Sequence, residues 1–145
     1  MLIAIGSDHG GFHLKEEIKK YFEEQKILFR DFGTLSCDSV DYPDISRAVA
    51  QAVVSGECTR GILICGTGIG IGIAANKVKG IRAALCHDTF SAQMSREHND
   101  ANILTMGERV VGTGLALAIV EKWLASEFAG GRHARRVEKM MEIEK

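Results

Sequence analysis

The sequence predicts a doubly wound, Rossmann-like α/β fold: a five-stranded parallel sheet with helices on both faces. Three observations predict it. Short apolar runs such as Leu2-Ile-Ala-Ile5 and Gly61-Ile-Leu-Ile-Cys65 lack polar alternation, so they read as strands buried on both faces. The segments between them carry apolar residues at helical spacing. Strand and helix alternate five times through connections of a few residues, the pattern of βαβ units wound onto one sheet. At 145 residues the chain makes a single domain whose core needs no staples. Within it, residues 130–145 read as a C-terminal dimerisation helix, packing on a partner subunit.

Taken in order, the first strand stops at Gly6-Ser-Asp-His-Gly-Gly11, a polar, glycine-rich turn. Leu14, Ile18, Tyr21 and Phe22 then mark a helix, with lysines and glutamates between them. Ile27–Phe32 is a second strand ended by Gly33. After a polar loop, Tyr42-Pro43-Asp44 opens a helix, proline being tolerated in a first turn. Ile45, Ala48, Val49, Ala52 and Val53 form its buried stripe, and Gly56 ends it. Gly61–Cys65 is the third strand, followed by a short helix from about Ile69 to Lys77. Arg82–Cys86 is the fourth strand, and the next helix runs to about His98. Ala101–Met106 is the fifth, with Gly107-Glu-Arg109 as its exit. A long helix from about Thr113 to Phe128 carries Leu115, Ile119, Trp123 and Leu124. Gly130-Gly131 breaks it before a last helix from Arg132.

Composition excludes several function classes. A net charge of −1 argues against a general nucleic-acid or membrane-surface binder. The longest uncharged run, Gly61–Asn76, is too short and too glycine-rich to span a bilayer. No secretory signal is expected, because Met1–Gly6 is brief and Asp8-His9 comes directly after it. Cys37, Cys58, Cys65 and Cys86 show no C-x-x-C pair and no zinc-type spacing with histidine, so no metal site is expected. They read as free thiols in a reducing cytoplasm, and all but Cys65 as small buried hydrophobes.

Cys65 differs because of the glycines beyond it. Gly66, Gly68, Gly70 and Gly72 alternate with Thr67, Ile69 and Ile71 as the strand turns into a helix. Glycine there lets backbone N–H groups converge on an anion, which the helix dipole also favours. An electropositive turn can lower a thiol pKa. Spacing leaves three roles open for Cys65: packing, nucleophile or general base. A dinucleotide fingerprint fits only as Gly70-x-Gly72-x-x-Ala75, displaced from the strand, with Asp88 as the ribose-binding acid. A phosphate-loop pattern fails for want of Gly-Lys-Ser/Thr. If the strand order is 2-1-3-4-5, the switch point lies between the first and third strands, and Asp8-His9 faces Cys65 across one crevice.

Asp8 can equally be a helix cap, and His98 a histidine at a helix end. His9 and His98 are suited to acid–base work near neutral pH, whereas His13, His87 and His133 read as solvated or structural. Arg132 and Arg136 share one face of the last helix, whose Val137, Met140 and Met141 must pack on something. Reaching a second subunit, that helix would deliver guanidinium groups to a phosphate, with Arg109 approaching from its own chain.

The motifs Gly6-Ser-Asp-His-Gly-Gly11, Asp41-Tyr-Pro-Asp44, Cys65-Gly-Thr-Gly-Ile-Gly70, His98-Asn-Asp-Ala-Asn102 and Gly107-Glu-Arg109 occur in this order along nearly the whole chain. Together they resemble ribose-5-phosphate isomerase type B, in a wider family that includes galactose-6-phosphate isomerase subunits. The resemblance implies a cytoplasmic aldose–ketose isomerase of the non-oxidative pentose phosphate pathway, with no metal and no cofactor. It implies a homodimer or dimer of dimers whose active site is shared between subunits. By the same resemblance, Cys65 is the base that moves a proton between C1 and C2, and the backbone of Gly66, Thr67, Gly68, Ile69 and Gly70 stabilises the enediolate. His98 would help open the furanose ring with Thr67 and Asp8 nearby, and Asn99 would hold sugar hydroxyls. His9 and Arg109 would bind phosphate with Arg132 and Arg136 from the partner subunit. Some relatives carry the base as a glutamate elsewhere in this loop region; this chain has Ile71, Ile73 and Ala74 there and keeps Cys65. Alternatives are an isomerase of a six-carbon phosphate (allose or galactose 6-phosphate), a non-catalytic nucleotide-binding module, and a thiol-nucleophile enzyme.

Overall fold

The computed structural model describes residues 1–145. Five strands form one parallel sheet: β1 (Leu2–Ser7), β2 (Leu28–Asp31), β3 (Arg60–Cys65), β4 (Ala83–Leu85) and β5 (Ile103–Gly107). Six helices accompany it: α1 (Phe12–Gln25), α2 (Tyr42–Val54), α3 (Ile69–Asn76), α4 (Thr89–Glu97), α5 (Thr113–Ala125) and α6 (Arg132–Glu142). A 3-10 turn over His9–Gly11 leads into α1.

Successive strand residues face opposite layers, and in the central strands both layers are dry. Ile3, Ile5, Ile62 and Ile64 pack with α1, α4 and α5 around Phe22 and Trp123. Ala4, Leu63 and Cys65 pack with α2 and α3 around Val49 and Ile71. This is why the strands read as continuous apolar runs: neither face meets water.

The strand order is β2-β1-β3-β5-β4, so the expected 2-1-3-4-5 order is wrong in its last two places. Burial explains the difference. β5 is buried along its whole length and runs in register with β3 from Gly61↔Ile103 to Cys65↔Gly107. A strand without solvent contact needs a neighbour on each edge. β4 has only three residues, none fully buried, and such a strand suits a sheet edge. The switch point between β1 and β3 stands, because the chain leaves β1 for β2 on one side and returns to β3 on the other. The tips of three strands therefore meet: Ser7 lies opposite Ile64, and Gly107 opposite Cys65.

Smaller differences have local causes. The fifth helix ends at Ala125 instead of reaching Phe128, and Leu115 is 47% exposed, its buried place being taken by Ala116. Cys58 and Cys86 are buried, but Cys37 is exposed in the polar loop before α2, with its sulfur 3.5 Å from His13 Nε2. The last helix docks on its own chain. Val137 is buried there, and the Glu144 carboxylate just beyond it accepts the Gly80 N–H at 3.1 Å.

Candidate active site

The turn after β1 lies directly on the turn after β3. Asp8 Oδ1 accepts the Gly10 N–H at 2.9 Å and so starts the 3-10 turn, while the Asp8 N–H donates to the Ile64 carbonyl at 3.3 Å. The fit demands glycine: a Cβ on Gly11 would stand 2.5 Å from the Ile64 carbonyl oxygen. One on Gly10 would stand 3.1 Å from the Gly66 nitrogen. The expected juxtaposition of Asp8-His9 with Cys65 is thus present. His9 accepts the Val40 N–H on Nδ1 at 3.2 Å, which leaves Nε2 as its proton-carrying atom.

Cys65 ends β3 as a buried residue, 5% exposed, and its Sγ accepts the Gly68 N–H at 3.1 Å. The backbone thus aims an N–H donor at the sulfur. Gly68 makes this possible by turning the chain at a φ of 78°. The cradle is partly closed on itself, since the Ile69 N–H donates to Thr67 Oγ1 at 3.2 Å. Tyr42 flanks the far side of the turn, its ring so close to Gly70 that a Cβ there would lie 2.8 Å away.

The exit of β5 completes this end. The Glu108 N–H donates to the Cys65 carbonyl at 3.0 Å and the Arg109 N–H to the Gly66 carbonyl at 3.1 Å. The Arg109 guanidinium rests over Gly66, 3.3 Å from where a Cβ would project. Glu108 Oε1 accepts the Leu14 N–H at 2.6 Å and so caps α1 from outside. Asp8, His9, Cys65, Thr67, the glycine turn and Arg109 therefore form one cluster at the carboxyl end of the sheet.

His98, Asn99, Arg132 and Arg136 lie elsewhere. α4 returns antiparallel to the strands, so His98 at its end and Asn99 after it stand by the amino end of β5. The length of β3 separates the two ends, on the order of 20 Å. His98 does not stand beside Thr67 and Asp8 within one chain. Its ring stacks on His133 at 4.2 Å between centroids and 10° between planes. Desolvation, then the positive charges of His98, Arg132 and Arg136, hold the His133 imidazole below its usual pKa. In the turn beyond, Asp100 adopts a left-handed φ of 48° and its carboxylate binds Arg96 at 2.8 Å and Arg82 at 3.4 Å.

The dinucleotide frame loses its support here. β5 stands between β3 and β4, so Asp88 is not on the strand next to the glycine turn. Its carboxylate instead caps α4 through the Ser91 N–H at 2.6 Å, a bond that holds it below the usual carboxylate range. Sequence reasoning set His87 and His133 aside and attached no role to Tyr42 or Glu108. Position in the fold, not residue type, brings these four to the two ends.

The family model described as Ribose/Galactose Isomerase matches residues 3–140. Ribose-5-phosphate isomerase B of Escherichia coli is 53% identical over 98% of this chain and 95% of its own. The ribose-5-phosphate isomerase B structure from Clostridium thermocellum superposes with a TM-score of 0.98 at 63% identity, covering 99% of this chain and 97% of that one. The Mycoplasma genitalium enzyme, solved with bound ribulose 5-phosphate, gives a TM-score of 0.94 at 40% identity, covering 99% and 95%.

Proposed function

Because the chain belongs to the ribose/galactose isomerase family, we infer that it interconverts ribose 5-phosphate and ribulose 5-phosphate through an enediolate, with Cys65 as base. One observation carries the assignment to Cys65. It is a buried thiol at a strand tip whose sulfur is held by a backbone N–H, and the next residue, Gly66, meets both the turn after β1 and the Arg109 guanidinium.

That placement accounts for the chemistry. The Cys65 thiolate removes the C2 proton of the open-chain aldose and returns it at C1, while a second proton passes from the C2 oxygen to the C1 oxygen. Negative charge builds on those oxygens, and N–H groups of the Gly66–Gly70 turn stabilise it where it develops. The His9 Nε2–H and the Arg109 guanidinium are the donors to phosphate at this end, and Arg109 brings the positive charge. His98 opens the ring together with Thr67 and Asp8, and Asn99 holds hydroxyls.

Since His98 and Asn99 share the opposite end of the sheet with Arg132 and Arg136, a second copy must present all four. The site is then shared in a homodimer or a dimer of dimers. Exposed Ile69, Ile73, Leu85 and Phe90 surround the carboxyl-end cluster, an apolar rim suited to being covered by that copy. No helix is long and apolar enough to cross a membrane, and the expected setting is the cytoplasm.

The deciding experiment assays wild type and Cys65→Ala, with chelator present, on a panel of five- and six-carbon aldose phosphates. The expected result is ribose 5-phosphate turnover by wild type and a loss of roughly a thousandfold in kcat for the variant, in the range for a general base. Near-normal turnover by the variant would sink the role of Cys65. A preference for allose or galactose 6-phosphate would replace the five-carbon assignment.

A further inference from the structure

His87 comes just after β4 at the sheet edge, and no step of the isomerisation uses it. Its Nε2 accepts the Gly107 N–H at 2.9 Å. Because the partner is an N–H donor, that ring nitrogen carries no proton. The bond replaces a missing ladder contact. β4 pairs with β5 only as far as Leu85↔Thr105, and the Cys86 N–H then donates to the Thr105 carbonyl at 3.1 Å. No β4 residue stands opposite Gly107, so an imidazole nitrogen supplies the acceptor that a backbone carbonyl would otherwise give.

What this bond holds is the floor of the site. Gly107 is buried against Thr67, so closely that a Cβ on it would lie 2.5 Å from the Thr67 carbonyl carbon. The next two residues donate their N–H groups to the carbonyls of Cys65 and Gly66. Gly107 is therefore gripped by His87 on one side and joined to the base-bearing strand on the other.

We propose that His87 is a positioning residue: by accepting the Gly107 N–H it fixes the tip of β5 against Thr67, and so sets the placement of Cys65, the anion turn and Arg109. The proposal rests on the isomerase reading of this site. It assigns His87 no contact with substrate. Misplacing a base and its N–H donors by a fraction of an ångström acts on the transition state, so kcat carries the effect.

The test compares His87→Gln, whose side-chain oxygen can reach the Nε2 position, with His87→Leu, which has similar bulk and no acceptor. Both are assayed for kcat and KM on ribose 5-phosphate, and the Gly107 amide is followed by hydrogen exchange in assigned nuclear magnetic resonance spectra. The expected result for His87→Leu is a drop in kcat of about tenfold, with KM changed less and Gly107 protection lost. His87→Gln restores most of both. A Leu variant with wild-type kcat overturns the proposal, as does equal loss in both variants. If His87→Leu does not fold, His87→Asn takes its place, its acceptor being one bond short. An Asn variant as active as the Gln variant then overturns the proposal. Wild type inactive on ribose 5-phosphate rejects the isomerase reading instead, and the exchange data still report whether His87 holds Gly107.

Discussion

Gly68 is where backbone conformation and chemistry coincide. Its φ of 78° lets its N–H reach Cys65 Sγ, and a Cβ there would lie 2.6 Å from the Met106 carbonyl carbon. Gly68→Ala combines left-handed strain with overpacking against β5, together about 3 kcal/mol. Chemical denaturation should register that loss, and kcat should fall further than stability accounts for, because the N–H donor to the Cys65 sulfur moves. A variant with wild-type kcat would mean that the sulfur does not depend on this N–H. At this scale the sequence was informative about Cys65 and its glycines, since a run of alternating glycines after a strand has few other uses. It said nothing of Tyr42 or Glu108, whose partners Gly70 and Leu14 lie far along the chain.

Between elements, one buried ion pair ties α1 to β2 beneath the Asp8-His9 turn. Lys15 has no exposed side-chain surface, and its Nζ meets both Asp31 oxygens at 2.8 Å and the Thr34 carbonyl at 2.6 Å. Backbone bonds of Gly33 and Thr34 with Ser7 carry that anchorage to the residue before Asp8. Burial pushes the Asp31 carboxyl up. Hydrogen bonds from Lys15, Lys19 and the Gly33 N–H outweigh it and leave the group below its ordinary value of 3.8. A carboxyl depressed on folding stabilises the fold above its unfolded value, and loses that contribution as pH falls through the folded one. Asp31→Asn should therefore cost about 3 kcal/mol at neutral pH, by stranding the Lys15 charge. The gap between wild type and variant should close as pH falls below about 4 in denaturation series. A gap independent of pH would rule the pair out. Strand and helix identities were legible at this scale because both central faces are apolar. The place of β5 inside β4 was not, because order in a parallel sheet depends on pairings that leave no local periodicity.

For the molecule as a whole, the decisive fact is that the residues proposed for its site occupy both ends of one sheet. Cys65 and Arg109 gather at the carboxyl end, while His98, Asn99 and the α6 arginines gather at the other. A shared site predicts complementation. Cys65→Ala and His98→Ala chains, each inactive alone, should regain about a quarter of wild-type activity when unfolded together and refolded. Half of the dimers are then mixed, and each mixed dimer holds one intact site. Activity no greater than the sum of the separate variants would place the whole site in one chain. The sequence by itself determined the α/β class and the thiol beside a glycine turn, because these depend on local period and glycine placement. The switch point between β1 and β3 followed only from an assumed strand order, which the structure keeps at that place. Only the tertiary structure decided that β5 lies inside β4, that His87 grips Gly107, and that His98 and Cys65 stand at opposite ends. The first two depend on which distant strands pair, and pairing energy is spread over many buried apolar contacts that no single motif records. The third comes from α4 returning antiparallel to the strands.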